Sequence, residues 1–163
     1  MINPESLKEV MRAWATGVAI VTGRHENLIH GMTVNSFNSI ALEPPTVLVA
    51  LQQHTRTRNL VIEGGIFGVS ILDSAQVGLA RRFAGQIDPN ISRFENVATF
   101  ELETGAPLIA GAIAFLDCKV IKHFDVGNTT VFLGEVIASK LNENEGHHPL
   151  LYFNRQWRGL EGL

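Results

Sequence analysis

The chain has 163 residues, of which 45% are apolar and 18% are charged, and its formal net charge at pH 7 is −3. This length and composition predict one globular domain, residues 1–163, with a sizeable core. The small negative charge gives no electrostatic reason to expect nucleic acid or an anionic membrane as a partner. No apolar run approaches the roughly 20 residues that cross a bilayer. Residues 1–8 lack a signal-peptide pattern, so we expect a cytoplasmic protein.

The first predicted element is a helix that either Asn3 or Ser6 can cap. Pro4 after Asn3 fits the first helical position, and Ser6 with Glu9 fits a capping box. Gly17 is predicted to end the helix. One stripe of this helix carries the apolar residues Leu7, Val10, Met11 and Trp14. Because these residues have the i, i+3, i+4, i+7 spacing, we expect the stripe to enter the core, with Trp14 as an anchor.

The next part of the chain is predicted to form strands. Residues 18–22 are rich in β-branched side chains, and 23–27 are predicted to form a polar turn. Two further strands, 29–34 and 46–51, are separated by a turn that Glu43-Pro44-Pro45 requires, since proline fixes φ. We therefore expect consecutive antiparallel strands in this region.

The remaining elements mix short helices with more strands. Residues 55–63 are predicted to form a helix with Leu60 and Val61 inward, and a second helix is predicted between Ser74 and Gly85. Strands are expected at 66–72 and 99–102, a loop at 86–93, and the chain should close with strands at 149–153 and 157–160. The clearest hairpin joins 112–124 to 129–141 through a turn at 125–128. Strands outnumber helices, which predicts a mainly β fold with short helices, built as an antiparallel barrel.

Two clusters of hydroxyl and amide side chains lie at strand ends, at 33–39 and at 52–58. Arg56 and Arg58 begin the helix predicted at 55–63, where free N–H groups and the helix dipole favour an anion. These residues suit a phosphorylated ligand with a polar ring system, because arginine supplies forked charged donors. The alternative is that the clusters are ordinary strand caps and turn residues.

Several common sites have no signal in the sequence. Cys118 is the only cysteine, so no intrachain disulfide can form, and we expect it to be buried in a strand. The six histidines lack the HxxxH or HExxH spacing of zinc sites, so no metal site is predicted. GxGxxG, GxxxxGK[ST] and GxSxG motifs are all absent from the sequence.

Residues 7–160 resemble the flavin reductase-like family, whose members have an FMN-binding split-barrel fold and serve as small reductase components of two-component flavin monooxygenases. The most specific segment, residues 30–45, reads H-G-M-T-V-N-S-F-N-S-I-A-L-E-P-P. Further matching segments are T-R-T at 55–57, L-A-R-R-F-A-G at 79–85 and F-L-G-E-V at 132–136.

The resemblance implies an antiparallel split β-barrel that forms a homodimer, with flavin bound near the subunit interface. It places four residues along the isoalloxazine and ribityl chain: Thr33, Val34, Asn35 and Ser36. Along the edge of the ring it places Ala50, Leu51, Gln52 and Gln53. The residues that would face the phosphate are Ser39, Thr55, Arg56 and Thr57. Part of the ligand would be covered by Phe83, Ala84 and Gly85.

The chain departs from the family at one turn. The family usually has G-D-H before the F-x-G-E-V strand, and that histidine lies near the nicotinamide and the flavin. Here the turn reads Gly127-Asn128-Thr129, so Asn128 and Thr129 occupy the candidate catalytic positions. Thr129 can donate a hydrogen bond, but it cannot act as an acid or base near neutral pH. His123 could replace the missing histidine only if the hairpin placed it at the position of that histidine.

Two main hypotheses follow from the resemblance. The first is an NAD(P)H-dependent flavin reductase that supplies reduced FMN or FAD to a partner monooxygenase. The second, motivated by the altered turn, is a flavin-binding split-barrel protein with weak or no reductase activity, such as a carrier, a sensor or a tightly bound flavoprotein. A third, a haem-binding split barrel, lacks a histidine with a compelling ligand context.

Overall fold

A computed structural model of the protein describes residues 2–143 and 147–160. The three α-helices of this part are α1 (Pro4–Met11), α2 (Arg56–Gly64) and α3 (Val77–Phe83), and a 3₁₀ turn, Ser74–Gln76, precedes α3. The first six strands are β1 (Thr16–Gly17), β2 (Ala19–His25), β3 (Leu28–Val34), β4 (Asn38–Leu42), β5 (Pro45–Gln52) and β6 (Ile66–Ile71). The others are β7 (Thr99–Phe100), β8 (Leu108–Ile109), β9 (Ala114–Val126), β10 (Thr129–Leu141), β11 (Leu151–Phe153) and β12 (Gln156–Arg158).

The main sheet is antiparallel and has seven strands in the order β3-β2-β6-β9-β10-β5-β4. The long hairpin of β9 and β10 forms its centre and is also its longest pairing. Small sheets of β1, β11 and β12 and of β7 and β8 lie beside it. The prediction of a mainly β, antiparallel fold with short helices is confirmed.

Two apolar clusters fill the interior of the fold. In β5 every second side chain points inward, and Val47, Val49 and Leu51 are all buried. They pack with Phe67, Phe132 and Val61 of α2 in the first cluster. The second cluster lies on the other side of β2, around Ile20, Phe83 and Phe115. Cys118 is buried in the first cluster, as expected, and burial, reinforced by Asp117, raises the pKa of its thiol to about 12.

Helix α2 forms where the sequence predicts it. The Thr55 side chain accepts a hydrogen bond from the Arg58 backbone N–H, and Gly65 ends the helix with φ +67°. Leu60 and Val61 are buried as expected. Gly23 allows this close packing against β2, because a Cβ at that position would lie 2.9 Å from the Val61 side chain. The polar turn predicted at 23–27 is shorter than expected and comprises residues 26–27, since β2 continues to His25.

The N-terminal helix departs most from the expectation. It ends at Met11, well before Gly17, and none of its residues is buried. Val10 is 70% exposed and Trp14, which lies beyond the helix, is 66% exposed. The periodicity located the helix correctly, but the predicted stripe does not face the core of this chain, so the assignment of Trp14 as a core anchor was wrong.

Two smaller corrections concern caps and turns. Asp73, not Ser74, caps the segment before α3, and its carboxylate accepts a hydrogen bond from the Ala75 N–H at 2.8 Å. The β9–β10 hairpin reaches Val126, so its turn is shorter than the predicted 125–128. Gly127, with φ +58°, fits the first central position of a two-residue hairpin turn.

Candidate functional site

A groove of about 810 Å³ lies on the surface of the described part of the chain. Its walls come from β3, from the first turn of α2, from the end of α3 and from the segment 87–94. A volume of this size is within the range of ligand-binding clefts. The groove therefore brings most of the 52–58 segment together with Thr33, the first residue of the 33–39 segment, and with the end of α3.

The first turn of α2 supplies the cationic wall of the groove. Arg56 is exposed and lines the groove, and no hydrogen bond or ion pair within residues 2–143 and 147–160 uses its side chain. Thr55 and Thr57 line the groove on either side of it. An exposed guanidinium beside free helix N–H groups attracts an anion, so this wall can bind a phosphate.

Arg58 has a different role. Its Nε donates to Thr130 Oγ1 at 3.0 Å, and its Nη2 lies 3.6 Å from Asp125 Oδ1. The hydrogen bond from Thr130, with a smaller contribution from Arg58, lowers the pKa of Asp125. Arg58 is therefore paired with the hairpin and does not line the groove, so only Arg56 of these two arginines is open to an anion in the groove.

His30 lies between the strand wall and the helix wall. Its Nδ1 lies 2.8 Å from the Thr57 hydroxyl, and Thr57 itself is fully buried. Burial lowers the pKa of His30 to about 4, and the charges of Arg93 and Arg56 add to this effect. The imidazole is therefore neutral at physiological pH and offers a hydrogen bond rather than a charge.

Many of the predicted cofactor-binding residues line this groove. They are Thr33, Gln52, Thr55, Arg56, Thr57, Phe83, Ala84 and Gly85. They come from four separate segments of the chain, and only the fold brings them to one surface.

The other predicted residues lie elsewhere. Val34 and Leu51 point into the core, so their side chains are not available to a ligand. Ser36 donates from its hydroxyl to the carbonyl of Ala50 at 2.7 Å, which holds the segment after β3 against β5. Ser39 is exposed on the edge strand β4, opposite Val47.

Asn35 lies in a second, smaller cleft of about 270 Å³. That cleft is lined by Trp14 and Tyr152 among others, together with basic side chains of α1 and of the β11–β12 turn. Asn35 would need a ligand or a partner that spans the two depressions in order to act with the groove residues.

The turn at Gly127 to Thr129 lies next to the groove without lining it. Thr129 is paired with Gln52 in the sheet, and the Gln53 N–H donates to the Asn128 carbonyl at 3.0 Å. Gln53 is therefore committed to this turn rather than free to bond a ligand through its backbone N–H. His123 is paired with Phe132 farther along the hairpin and does not line the groove.

Arg93 and His30 are among the groove residues that the sequence analysis did not assign to the site. Arg93 lies in the predicted loop, and His30 was treated only as one of six histidines. The Arg93 Nη1 donates to the carbonyls of Gly31 and Phe83, at 2.9 and 2.8 Å. Its partners are 62 and 10 residues away, so no local spacing could have indicated them.

Two negative findings limit the chemistry of the described residues. Within 2–143 and 147–160, no three histidine, cysteine, aspartate or glutamate side chains form a group that could hold a metal ion. In the same part of the chain, no helix is both long and apolar enough to span a membrane.

Comparison with known proteins identifies the family. The model of the flavin reductase-like domain matches residues 11–161. The chain is 33% identical to the NADH-dependent flavin reductase StyB of Pseudomonas fluorescens, over 97% of this chain and 91% of that protein. It is 32% identical to HsaB of Rhodococcus jostii, the reductase subunit of a flavin-dependent monooxygenase, over 98% of this chain and 80% of that protein. The chain therefore belongs to the flavin reductase-like domain family, as the sequence resemblance indicated.

Solved structures agree with this assignment. The NADH:FAD oxidoreductase SgcE6 of Streptomyces globisporus, solved in complex with NAD and FAD fragments, superposes with a TM-score of 0.87. It is 33% identical, and the alignment covers 99% of this chain and 96% of that one. The predicted fold class, an antiparallel split β-barrel, is confirmed.

Proposed function

We propose that this protein is an NADH-dependent flavin reductase that supplies reduced FMN or FAD to a partner flavin-dependent monooxygenase. The observation that carries the proposal is the groove in which Arg56, without a protein partner among the described residues, stands at the N-terminus of α2. The names of the relatives support the activity, since they describe NADH-dependent reductases and the reductase subunit of a monooxygenase.

The residues of the groove fit a flavin nucleotide. Arg56, with the hydroxyls of Thr55 and Thr57 nearby, suits a phosphate, because an anion there offsets the positive charge of the first helical turn. Both apolar and polar side chains line the rest of the groove, which suits a ring system with polar edges. Thr33 and Gln52 contribute the polar part, and Phe83 contributes an apolar surface.

A bound flavin accepts a hydride from the nicotinamide and carries the electrons onward; that chemistry belongs to the cofactors. The chain itself has to bind both ligands and exclude competing reactions. The groove does not offer a charged imidazole near neutral pH at His30. Positioning is therefore the main task of these residues, in agreement with a reaction that consists of hydride transfer.

Asn128 and Thr129 remain the candidates next to the reacting rings. They are held beside Gln52 by the β5–β10 pairing, and the Thr129 hydroxyl donates to Asn128 Oδ1 at 3.3 Å. Their role would be to orient a ligand by hydrogen bonding, since neither can transfer a proton near pH 7. The alternative of a carrier or sensor without reductase activity is not favoured by the names of the relatives.

A homodimer is the second part of the proposal. Apolar side chains of α1, of the segment that follows it and of the end of β9 are exposed in the single chain, among them Leu7, Val10, Trp14, Phe124 and Val126. Apolar surface of this kind usually marks an interface. We expect light scattering to give the mass of two chains, and a single-chain mass at micromolar concentration would contradict the dimer.

Cytoplasmic location stays a prediction, which cell fractionation would test.

The activity is tested by steady-state oxidation of NADH with and without added flavin. We expect oxidation that depends on added FMN or FAD and that stops when either flavin or protein is left out. Flavin binding without any NADH or NADPH oxidation would reject the reductase and leave the carrier hypothesis. Absence of binding to either flavin would reject both.

A further inference from the structure

We propose that Arg93 is a ligand-binding residue of the groove, which together with Arg56 binds the phosphate group of the flavin nucleotide. This inference rests on the proposed flavin-binding function. It adds a second cation to the single arginine that the sequence indicated, and it connects the ligand phosphate to the segment 86–92, which Arg93 ends.

The position of Arg93 is fixed by hydrogen bonds that use only part of its guanidinium. Nη1 donates to the Gly31 carbonyl on β3 and to the Phe83 carbonyl at the end of α3. A guanidinium has five N–H donors, so the three on Nε and Nη2 are left. No hydrogen bond found within residues 2–143 and 147–160 uses these three donors, and Arg93 lines the groove.

The backbone around Arg93 is shaped to admit the guanidinium. Gly85 has φ +85°, and a Cβ at this position would lie 3.1 Å from the Arg93 Nη2. Gly31 allows a similarly close approach between β3 and α3, because a Cβ at this position would lie 3.0 Å from the Phe83 ring. The two glycines therefore allow β3, the end of α3 and Arg93 to meet at one point of the groove wall.

The charges around this point favour an anion. Burial, followed by the charge of Arg56, lowers the pKa of Arg93, so the positive charges of the two guanidinium groups repel one another. The other titratable side chains that line the groove in the described part of the chain are His30, His54 and Asp88. His30 is neutral near pH 7, and Asp88 is the one acidic side chain of this set. A phosphate, with roughly two negative charges, would offset both arginines at once.

Arg82 provides a matched comparison. Its Nη2 donates to the carbonyls of Ser92 and Glu95, at 2.8 and 2.7 Å, so it also holds the segment around Arg93 against α3. Arg82 does not line the groove. A residue that merely anchors the segment would behave like Arg82, whereas a residue that binds phosphate would distinguish between ligands with and without a phosphate.

The test compares riboflavin, FMN and FAD binding to the full chain by flavin fluorescence titration. Arg93→Gln keeps hydrogen-bond donors for the two carbonyls and removes the charge, and Arg82→Gln is the control. We expect Arg93→Gln to weaken FMN or FAD binding at least about tenfold, the effect of losing a charged hydrogen bond, with riboflavin binding changed less than about twofold. We expect Arg82→Gln to preserve the ratio of FMN to riboflavin affinity.

The three ligands separate the possible outcomes. A loss confined to FMN would assign Arg93 to a terminal phosphate, and a loss confined to FAD would assign it to a diphosphate; both support the proposal. An equal loss for riboflavin, FMN and FAD, or no loss for either nucleotide, would overturn it. Circular dichroism shows whether Arg93→Gln is misfolded. If it is, Arg93→Lys, which keeps the charge, replaces Arg93→Gln in the test. Arg93→Lys should retain the preference for FMN or FAD over riboflavin. Absence of flavin binding by the unmodified protein would instead overturn the proposed function.

Discussion

The Nδ1 atom of His30 lies 2.8 Å from the hydroxyl of Thr57, so the middle of β3 is tied to the first turn of α2. This contact joins the two segments that supply the ligand-facing residues of the groove. It also places a neutral imidazole beside two arginines. The strand wall and the helix wall of the groove are therefore joined by a contact that does not require charge, and the positive charge of Arg56 remains available to a ligand.

Arg56 should contribute directly to nucleotide affinity. We expect Arg56→Ala to weaken FMN binding by about 1.5–3 kcal/mol, the range for a hydrogen bond to a charged group, as measured by isothermal titration calorimetry. Arg58→Ala is the control, because Arg58 contacts Thr130 and Asp125 of the hairpin rather than the groove. Equal effects of the two substitutions on FMN affinity would contradict the assignment of the phosphate wall.

His30 should make the stability of the fold depend on pH. Its pKa in the folded protein is lowered from 6.5 to about 4, so the unfolded chain binds more protons between these values. Stability therefore rises with pH across this window and is lost as pH falls from about 6.5 towards 4. Urea unfolding at pH 7 and at pH 4.5 should show a smaller difference for His30→Gln than for the unmodified protein. An equal or larger difference for the variant would contradict a neutral, buried His30.

The turn at Gly127 to Thr129 should control turnover rather than flavin affinity. We expect Asn128→Asp combined with Thr129→His, which restores the family residues, to increase the kcat of NADH oxidation. The dissociation constant of FMN should stay within about twofold, because neither residue lines the groove. Stopped-flow mixing with NADH measures the first effect and fluorescence titration the second. An unchanged rate would show that this turn does not limit the reaction.

Gly134 should be required for core packing. A Cβ at this position would lie 2.4 Å from the Phe67 ring, which is fully buried, so we expect Gly134→Ala to destabilise the protein by about 1–3 kcal/mol. Gly78→Ala in α3 is the control, since a Cβ there meets nothing within 4 Å and alanine favours the helix by about 0.5–1 kcal/mol. We expect a single unfolding transition for the Gly134→Ala and Gly78→Ala variants, because residues 1–163 are predicted to form one domain. Two separate transitions would contradict that prediction.

The sequence predicted the parts of the fold that depend on local patterns. Helix α2 has a threonine cap and a terminal glycine, and the β9–β10 hairpin has a glycine at its turn, so neighbouring residues specify both. The stripe that includes Val10 shows the limit of the same reasoning. Its spacing indicates a helix with one apolar face, but spacing does not say whether that face meets the core of the same chain or another surface.

The site was predictable only where a motif carried it. Residues 30–45 and 55–57 matched the family, and the resemblance assigned Thr33 and Arg56 to the ligand. Both residues line the groove, and their contact with flavin stays a prediction. The two donors of Arg93 to Gly31 and Phe83 depend on packing between segments far apart in the chain. Arg58 shows the converse, because its position two residues after Arg56 suggests a shared role, whereas the fold places it beside Asp125.

The most direct test of the central claim is an anaerobic titration of the flavin-loaded protein with NADH. The account predicts that one equivalent of NADH bleaches the visible absorbance of the oxidised flavin, and that a partner monooxygenase then oxidises its substrate when air is admitted. Persistence of the oxidised flavin spectrum with excess NADH or NADPH, in a protein that binds FMN or FAD, would contradict the reductase function.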